Sequence, residues 1–126
     1  MHKQLAKITR TFLGWDTTHG VFTASLDVDY GVSSQGVGLH QLSYNEHRED
    51  TDDYVTHYRG VGEYIAGILR ACGVDRWEDL VGRTIHVLFP ENDAAYPVGI
   101  EHLPTEKGGT FMFSEWQQVM RESESV

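Results

Sequence analysis

The segment Tyr30-Gly31-Val32-Ser33-Ser34-Gln35-Gly36-Val37-Gly38 gathers the groups best suited to holding a ligand. Glycines at 31, 36 and 38 permit positive φ and expose backbone N–H groups, while Ser33, Ser34 and Gln35 add short polar donors. Such a loop can cradle an anion, as phosphate loops do. It lacks the Lys-Ser/Thr end of a P-loop, and its glycine spacing is not that of the dinucleotide fingerprint. It also leads toward a strand rather than opening a helix. The plainer reading is a wide hairpin connection.

Other constellations carry less. Asp27 and Asp29 share the polar face of one strand and could bind a divalent cation or share a proton, but acids on a wet strand face are more often simply solvated. None of the seven histidines stands at a helical i,i+4 spacing from another, and no Cys-x-x-Cys or His-Glu-x-x-His element is present. His86 and His102 could face each other across a hairpin as a half-site. Ser33 or Ser34 with His40 is an imaginable nucleophile pair that nothing in the sequence orients. Cys72 ends an apolar helical stripe, where a buried thiol is inert. The reading therefore assigns no catalytic residue, no metal and no cofactor. Among the aromatics, Tyr54 and Tyr58 read as core, whereas Trp15 in a polar turn reads as an exposed contact residue. Beside an arginine, the tyrosines and tryptophans are enough to supply a base-stacking platform.

Composition bounds these options. The chain has 126 residues, 40% apolar and 23% charged, which fits one domain spanning 1–126 with a core of its own. A single cysteine forms no internal disulfide, the N-terminus has no apolar run resembling a signal peptide, and no stretch approaches a membrane span. The expected location is the cytoplasm, with no membrane partner. A net charge of −9 disfavours broad nucleic-acid binding, which needs a basic surface. An acidic surface can instead occupy a partner's nucleic-acid groove.

The elements that must position these residues follow from periodicity. Residues 4–13 predict a strand with Ile8 and Phe12 on one face. Phe22, Ala24, Leu26, Val28 and Tyr30 alternate with polar residues in a second strand that pairs with the first as a hairpin. Val37 to Tyr44 predicts a third strand, followed by the acidic loop 45–53. Tyr54, Tyr58, Val61, Ile65, Ile68 and Cys72 recur at steps of four and three, predicting a long helix capped by Asp50 or Thr51 and stopped at Gly73. Glycines 60, 62 and 67 within it suggest close packing on the sheet. Residues 74–82 predict a short helix or turn. Arg83–Phe89 and Tyr96–Leu103 predict a second hairpin joined through Pro90 and Asn92-Asp93. Phe111, Phe113, Trp116 and Met120 predict a short docked helical turn, with a frayed tail over 122–126. The expected class is α+β: an antiparallel β-β-β-α-β-β sheet with one long helix on one face.

The pattern Thr11-Phe12-Leu13-Gly14, His19-Gly20, Leu26-Asp27-Val28-Asp29-Tyr30-Gly31 and Gln35-Gly36-Val37-Gly38, with the Gly73–Arg83 stretch, resembles a group of small bacteriophage-encoded proteins without an established role. The likeness covers roughly residues 8–103. It implies a phage accessory protein acting in the host-cell cytoplasm, most simply by binding. The leading expectation is a non-enzymatic protein that counters host defence by sequestering a small cyclic or adenine-containing nucleotide. Its expected site is Trp15, Tyr30, Gly31, Ser33, Ser34, Gln35, Gly36, Gly38, His40, Arg48 and Arg59, and a sponge of this kind implies a homo-oligomer. The alternatives are an acidic, nucleic-acid-mimicking inhibitor of a host defence protein and a small metal-dependent phosphoesterase.

Overall fold

The alternation over residues 21–30 produces the element around which the sheet is built. In the computed structural model, which describes residues 1–91 and 96–124, strand β2 (Val21–Asp29) buries Ala24, Leu26 and Val28 completely. It pairs antiparallel with β1 (His2–Asp16) on one side and β3 (Ser34–Val37) on the other. β1 in turn pairs with β6 (Thr84–Phe89), which continues through β7 (Gly99–Glu101) to β8 (Thr110–Met112). The six strands lie in the order β3-β2-β1-β6-β7-β8. Two further strands, β4 (Ser43–His47) and β5 (Tyr54–Tyr58), form a separate two-stranded arm. Helix α1 (Val61–Cys72) packs Tyr64, Ile68, Ala71 and Cys72 into the core, and α2 (Phe113–Glu124) follows β8 directly. The α+β class holds, with an antiparallel sheet and a helix on one face.

Several finer expectations are corrected. The helix is not long: it begins at Val61, because Tyr54–Tyr58 finds a strand partner in Ser43–His47 and Gly60 turns left-handed at φ 46°. A step of four is also two steps of two, so Tyr54 and Tyr58 suit a strand face equally. They are exposed at 64% and 59%, not core. Asp50 and Thr51 consequently belong to the arm's turn and cap no helix. In β1 a bulge between Ile8 and Arg10 shifts the register. Ile8 faces the core, whereas Phe12 lands opposite Ser25 on the other face, because an extra residue inverts the alternation beyond it. The third strand ends at Val37 rather than beginning there, and 38–42 crosses from the sheet to the arm. The terminal segment is a 12-residue helix rather than a short turn, and it still holds residues 122–124. The Asn92-Asp93 turn lies outside the described residues. No described helix is long and apolar enough to cross a membrane.

Of the three glycines read as packing positions, Gly67 behaves as one. A Cβ there would meet the Phe111 ring at 2.4 Å, so the bare backbone is what lets α1 sit on β8. Gly62 faces open space instead. Gly67→Ala is therefore expected to destabilise the protein by about 1–3 kcal/mol despite alanine's better helix propensity. Gly62→Ala should stabilise it by up to about 1 kcal/mol. Urea unfolding of the two variants checks both signs.

Candidate functional site

The glycine loop closes on itself. Tyr30 N–H donates to the Ser33 carbonyl at 2.8 Å, and Gly31 N–H donates to Asp29 Oδ1 at 2.7 Å. Two of the backbone donors that might have met an anion are thus engaged inside the turn. The Tyr30 hydroxyl donates to Gln35 Oε1 at 2.7 Å, and burial pushes its pKa up to about 12. Ser34, Gln35 and Gly36 belong to β3, Ser33 is exposed in the turn, and Gly36 pairs with Asp27. A shallow depression beside them is edged by Arg10 and Asp27, themselves an ion pair at 3.6 Å.

Gly38 and His40 lie elsewhere, because β3 runs back along β2 and carries the chain toward the β1–β2 turn. The Thr23 hydroxyl donates to the His40 carbonyl at 2.8 Å, and Leu42 N–H donates to the Phe22 carbonyl at 2.9 Å. Tyr30 and Phe22 stand at opposite ends of β2, roughly 25 Å apart at about 3.3 Å per residue. The expected eleven-residue site therefore splits. Trp15, Gly38, His40 and Arg59 belong to one end; Tyr30, Gly31, Ser33, Ser34, Gln35 and Gly36 belong to the other. Arg48 belongs to neither: it lies exposed in the arm's turn, its carbonyl accepting from Thr51.

The end that holds His40 is built with care. The buried Tyr64 hydroxyl donates to the Gly38 carbonyl and lies 3.2 Å from His40 Nδ1. Gly38 has φ 78°, and a Cβ there would stand 2.6 Å from the Tyr64 oxygen, so two independent constraints favour glycine. Phe113 and Trp116 of α2 complete the box around the imidazole, with ring centroids 5.3 and 5.9 Å away. The Trp116 indole N–H donates to the Gly60 carbonyl at 3.1 Å, tying α2 to the start of α1. Burial holds the His40 imidazole below its ordinary pKa, and the backbone hydrogen bond with Gly38 offsets part of that. His40 is a neutral, fixed ring.

Around it opens a cleft of about 190 Å³, lined by His40, Gln41, Arg59, Trp116, Gln117, Met120 and Arg121. Arg59 is positioned by its N–H, which donates to the Leu42 carbonyl at 2.9 Å, and its guanidinium lies 4.5 Å from the centre of the Tyr44 ring. Tyr44 stacks on His57 at 4.9 Å. His57 Nε2 stands 3.0 Å from a Glu46 carboxylate oxygen, but outside hydrogen-bond geometry. Arg59, Arg121, Gln41 and Gln117 thus line one small volume beside the His40 and Trp116 rings, a lining that suits an anionic group on a planar molecule. The sequence reading found His40 and Arg59 but missed Gln41, Trp116, Gln117 and Arg121. The signal was the spacing of Phe113, Trp116 and Met120, which is that of a full helix presenting Arg121 alongside.

The other expectations resolve plainly. Asp27 pairs with Arg10, and Asp29 caps its own turn. His86 stands opposite Glu101 rather than His102, so the register does not form the half-site. Among the described residues no three His, Cys, Asp or Glu side chains converge as a metal site. Cys72 is buried, its thiol pushed up to about 12. Trp15 is 47% exposed, as expected, but it lies near the end of β1 rather than in the turn, which is confined to residues 17–20. Comparison with protein-family models, curated proteins and solved structures finds no match for the chain.

His40 also makes a pH prediction. Its folded pKa lies below the ordinary 6.5, so on acidification the unfolded chain takes up this proton first. Its contribution to stability is complete above about pH 6.5 and is lost as pH falls toward the folded value. The thermal midpoint should fall between about pH 7.5 and about pH 5, and more steeply than in His40→Gln. Parallel slopes would show that His40 is not the buried titrating group.

Proposed function

We propose that the protein is a non-enzymatic binding protein for a small phosphorylated aromatic molecule, a nucleotide, held in the cleft between residues 40–41 and α2. The observation that supports this most is the meeting of Arg59, Arg121 and a neutral, boxed His40 on one cleft of a chain whose net charge is −9. Against that background a local pair of guanidinium groups selects an anion, and bidentate pairing gives it orientation. The imidazole suits holding a ligand better than moving a proton, because its Nδ1 lies on Tyr64 and aromatic rings fix its plane. The resemblance to small phage-encoded proteins supplies the context. Sequestering a cyclic or adenine-containing signal nucleotide in the host cytoplasm would counter a defence pathway, and a homo-oligomer is part of this reading.

Cyclic and adenine-containing nucleotides are expected to raise the melting temperature and to be released intact on heating. At a hundredfold excess over Kd the stabilisation is about 2.7 kcal/mol. Arg59→Gln combined with Arg121→Gln should abolish it. A nucleotide panel that leaves the melting temperature unmoved, or that comes back hydrolysed, contradicts the reading.

One observation favours a second reading. Glu46, Glu49, Asp50, Asp52 and Asp53 are all exposed on the β4–β5 arm and its turn, an acidic projection suited to a basic groove on a host defence protein. If that arm is the working surface, replacing the five acids by amides should abolish binding to the partner while nucleotide binding persists. Unchanged partner binding sinks it.

A further inference from the structure

A second depression adjoins the cationic cleft at His40 and Gln41, which line both. His40 and Gln41 border the cationic cleft and also a cavity with Asp16, His19 and Thr23, and that cavity shares Asp16, Thr23 and Leu39 with a groove of about 240 Å³. That groove has aromatic and aliphatic walls, Phe12, Trp15 and Leu39, exposed at 44%, 47% and 69%. Its floor is polar: Thr23 and Ser25, each 6% exposed. The Thr23 hydroxyl is engaged with the His40 carbonyl, whereas the Ser25 hydroxyl makes no hydrogen bond among the described residues. That hydroxyl is left as a donor and acceptor open to whatever enters the groove.

The walls are held in place. Trp15 meets Phe22 edge-on at 5.4 Å and Tyr58 at 6.3 Å, so its ring is braced from behind while remaining half exposed. Phe12 owes its place here to the bulge between Ile8 and Arg10, without which the alternation would turn it toward the core. Braced aromatic faces over a floor with one open hydrogen-bonding hydroxyl fit a planar ring carrying polar edge atoms. The volume suits one such ring rather than a peptide.

We infer that this groove is a nucleobase subsite: Phe12, Trp15 and Leu39 sandwich the ring, Ser25 hydrogen-bonds its edge, and the ligand straddles residues 39–41 to place its phosphate on Arg59 and Arg121. The inference rests on the nucleotide-binding reading and adds where the base lies.

Tryptophan fluorescence titrations with AMP, GMP, CMP and UMP, with ribose 5-phosphate as the base-free control, test it. At least one mononucleotide is expected to bind tenfold or more tightly than ribose 5-phosphate and to quench Trp15, the quench being lost in Trp15→Phe. Ser25→Ala should weaken that mononucleotide tenfold or more while leaving ribose 5-phosphate binding and the ligand-free melting temperature unchanged, since no protein hydrogen bond is removed. Arg59→Gln with Arg121→Gln should weaken both ligands. If ribose 5-phosphate binds as well as every mononucleotide, or Ser25→Ala binds the mononucleotides like the parent, the base subsite is overturned and the phosphate reading stands. If none of the five ligands binds, both readings fall.

Discussion

The candidate site depends on one buried hydroxyl. Tyr64 reaches from the first turn of α1 to the Gly38 carbonyl and to His40, and so fixes the point where the chain leaves the sheet for the arm. Buried polar groups are costly unless paired, so this small network specifies a single geometry for residues 38–42. Everything that lines the cleft is referred to it. His40 is set by Tyr64 directly, Arg59 through the Leu42 carbonyl, and α2 through the tilted and edge-on packing of Phe113 and Trp116 against His40 and Tyr64. Gly38 is the residue that makes the contact possible, since any side chain would occupy the place of the phenol oxygen.

Placement of the site at this end of the sheet follows from how the two ends spend their hydrogen bonds. The glycine turn satisfies itself, with Asp29, Ser33 and Gln35 accepting from Tyr30 and Gly31. At the other end the polar groups converge from three separate parts of the chain: the crossover 38–42, the end of β5 and helix α2. Convergence from distant segments around a fixed ring makes a pre-organised surface; a locally satisfied turn makes a connection.

How much of this was legible in the sequence varies with whether the deciding force is local. The alternation of β2 is local and strong, and Ala24, Leu26 and Val28 are buried as it requires. Tyr54 and Tyr58 fit two periods at once, and what decides between them is a partner strand at Ser43–His47 that no local pattern announces. Phe12 went to the wrong face because a one-residue bulge leaves no compositional mark. Gly38 and His40 were found by residue type, but their separation from Gly31 is a matter of where β3 ends. Half of the cleft lay in α2, whose amphipathic spacing was visible and whose length was not. The Gly31 turn was readable in principle, since an aspartate two residues before a glycine N–H is a common self-capping arrangement.

The central claim is that ligand recognition lies at the Tyr64–Gly38–His40 end of the sheet and not in the glycine turn. Amide chemical-shift mapping of the labelled protein during titration with AMP tests it most directly. The account predicts that the largest perturbations fall on Gly38 to Gln41, Arg59 and the Trp116 indole, with Gly31 to Gly36 unmoved. Perturbations centred on Gly31 to Gly36, with His40 and Trp116 silent, would contradict it.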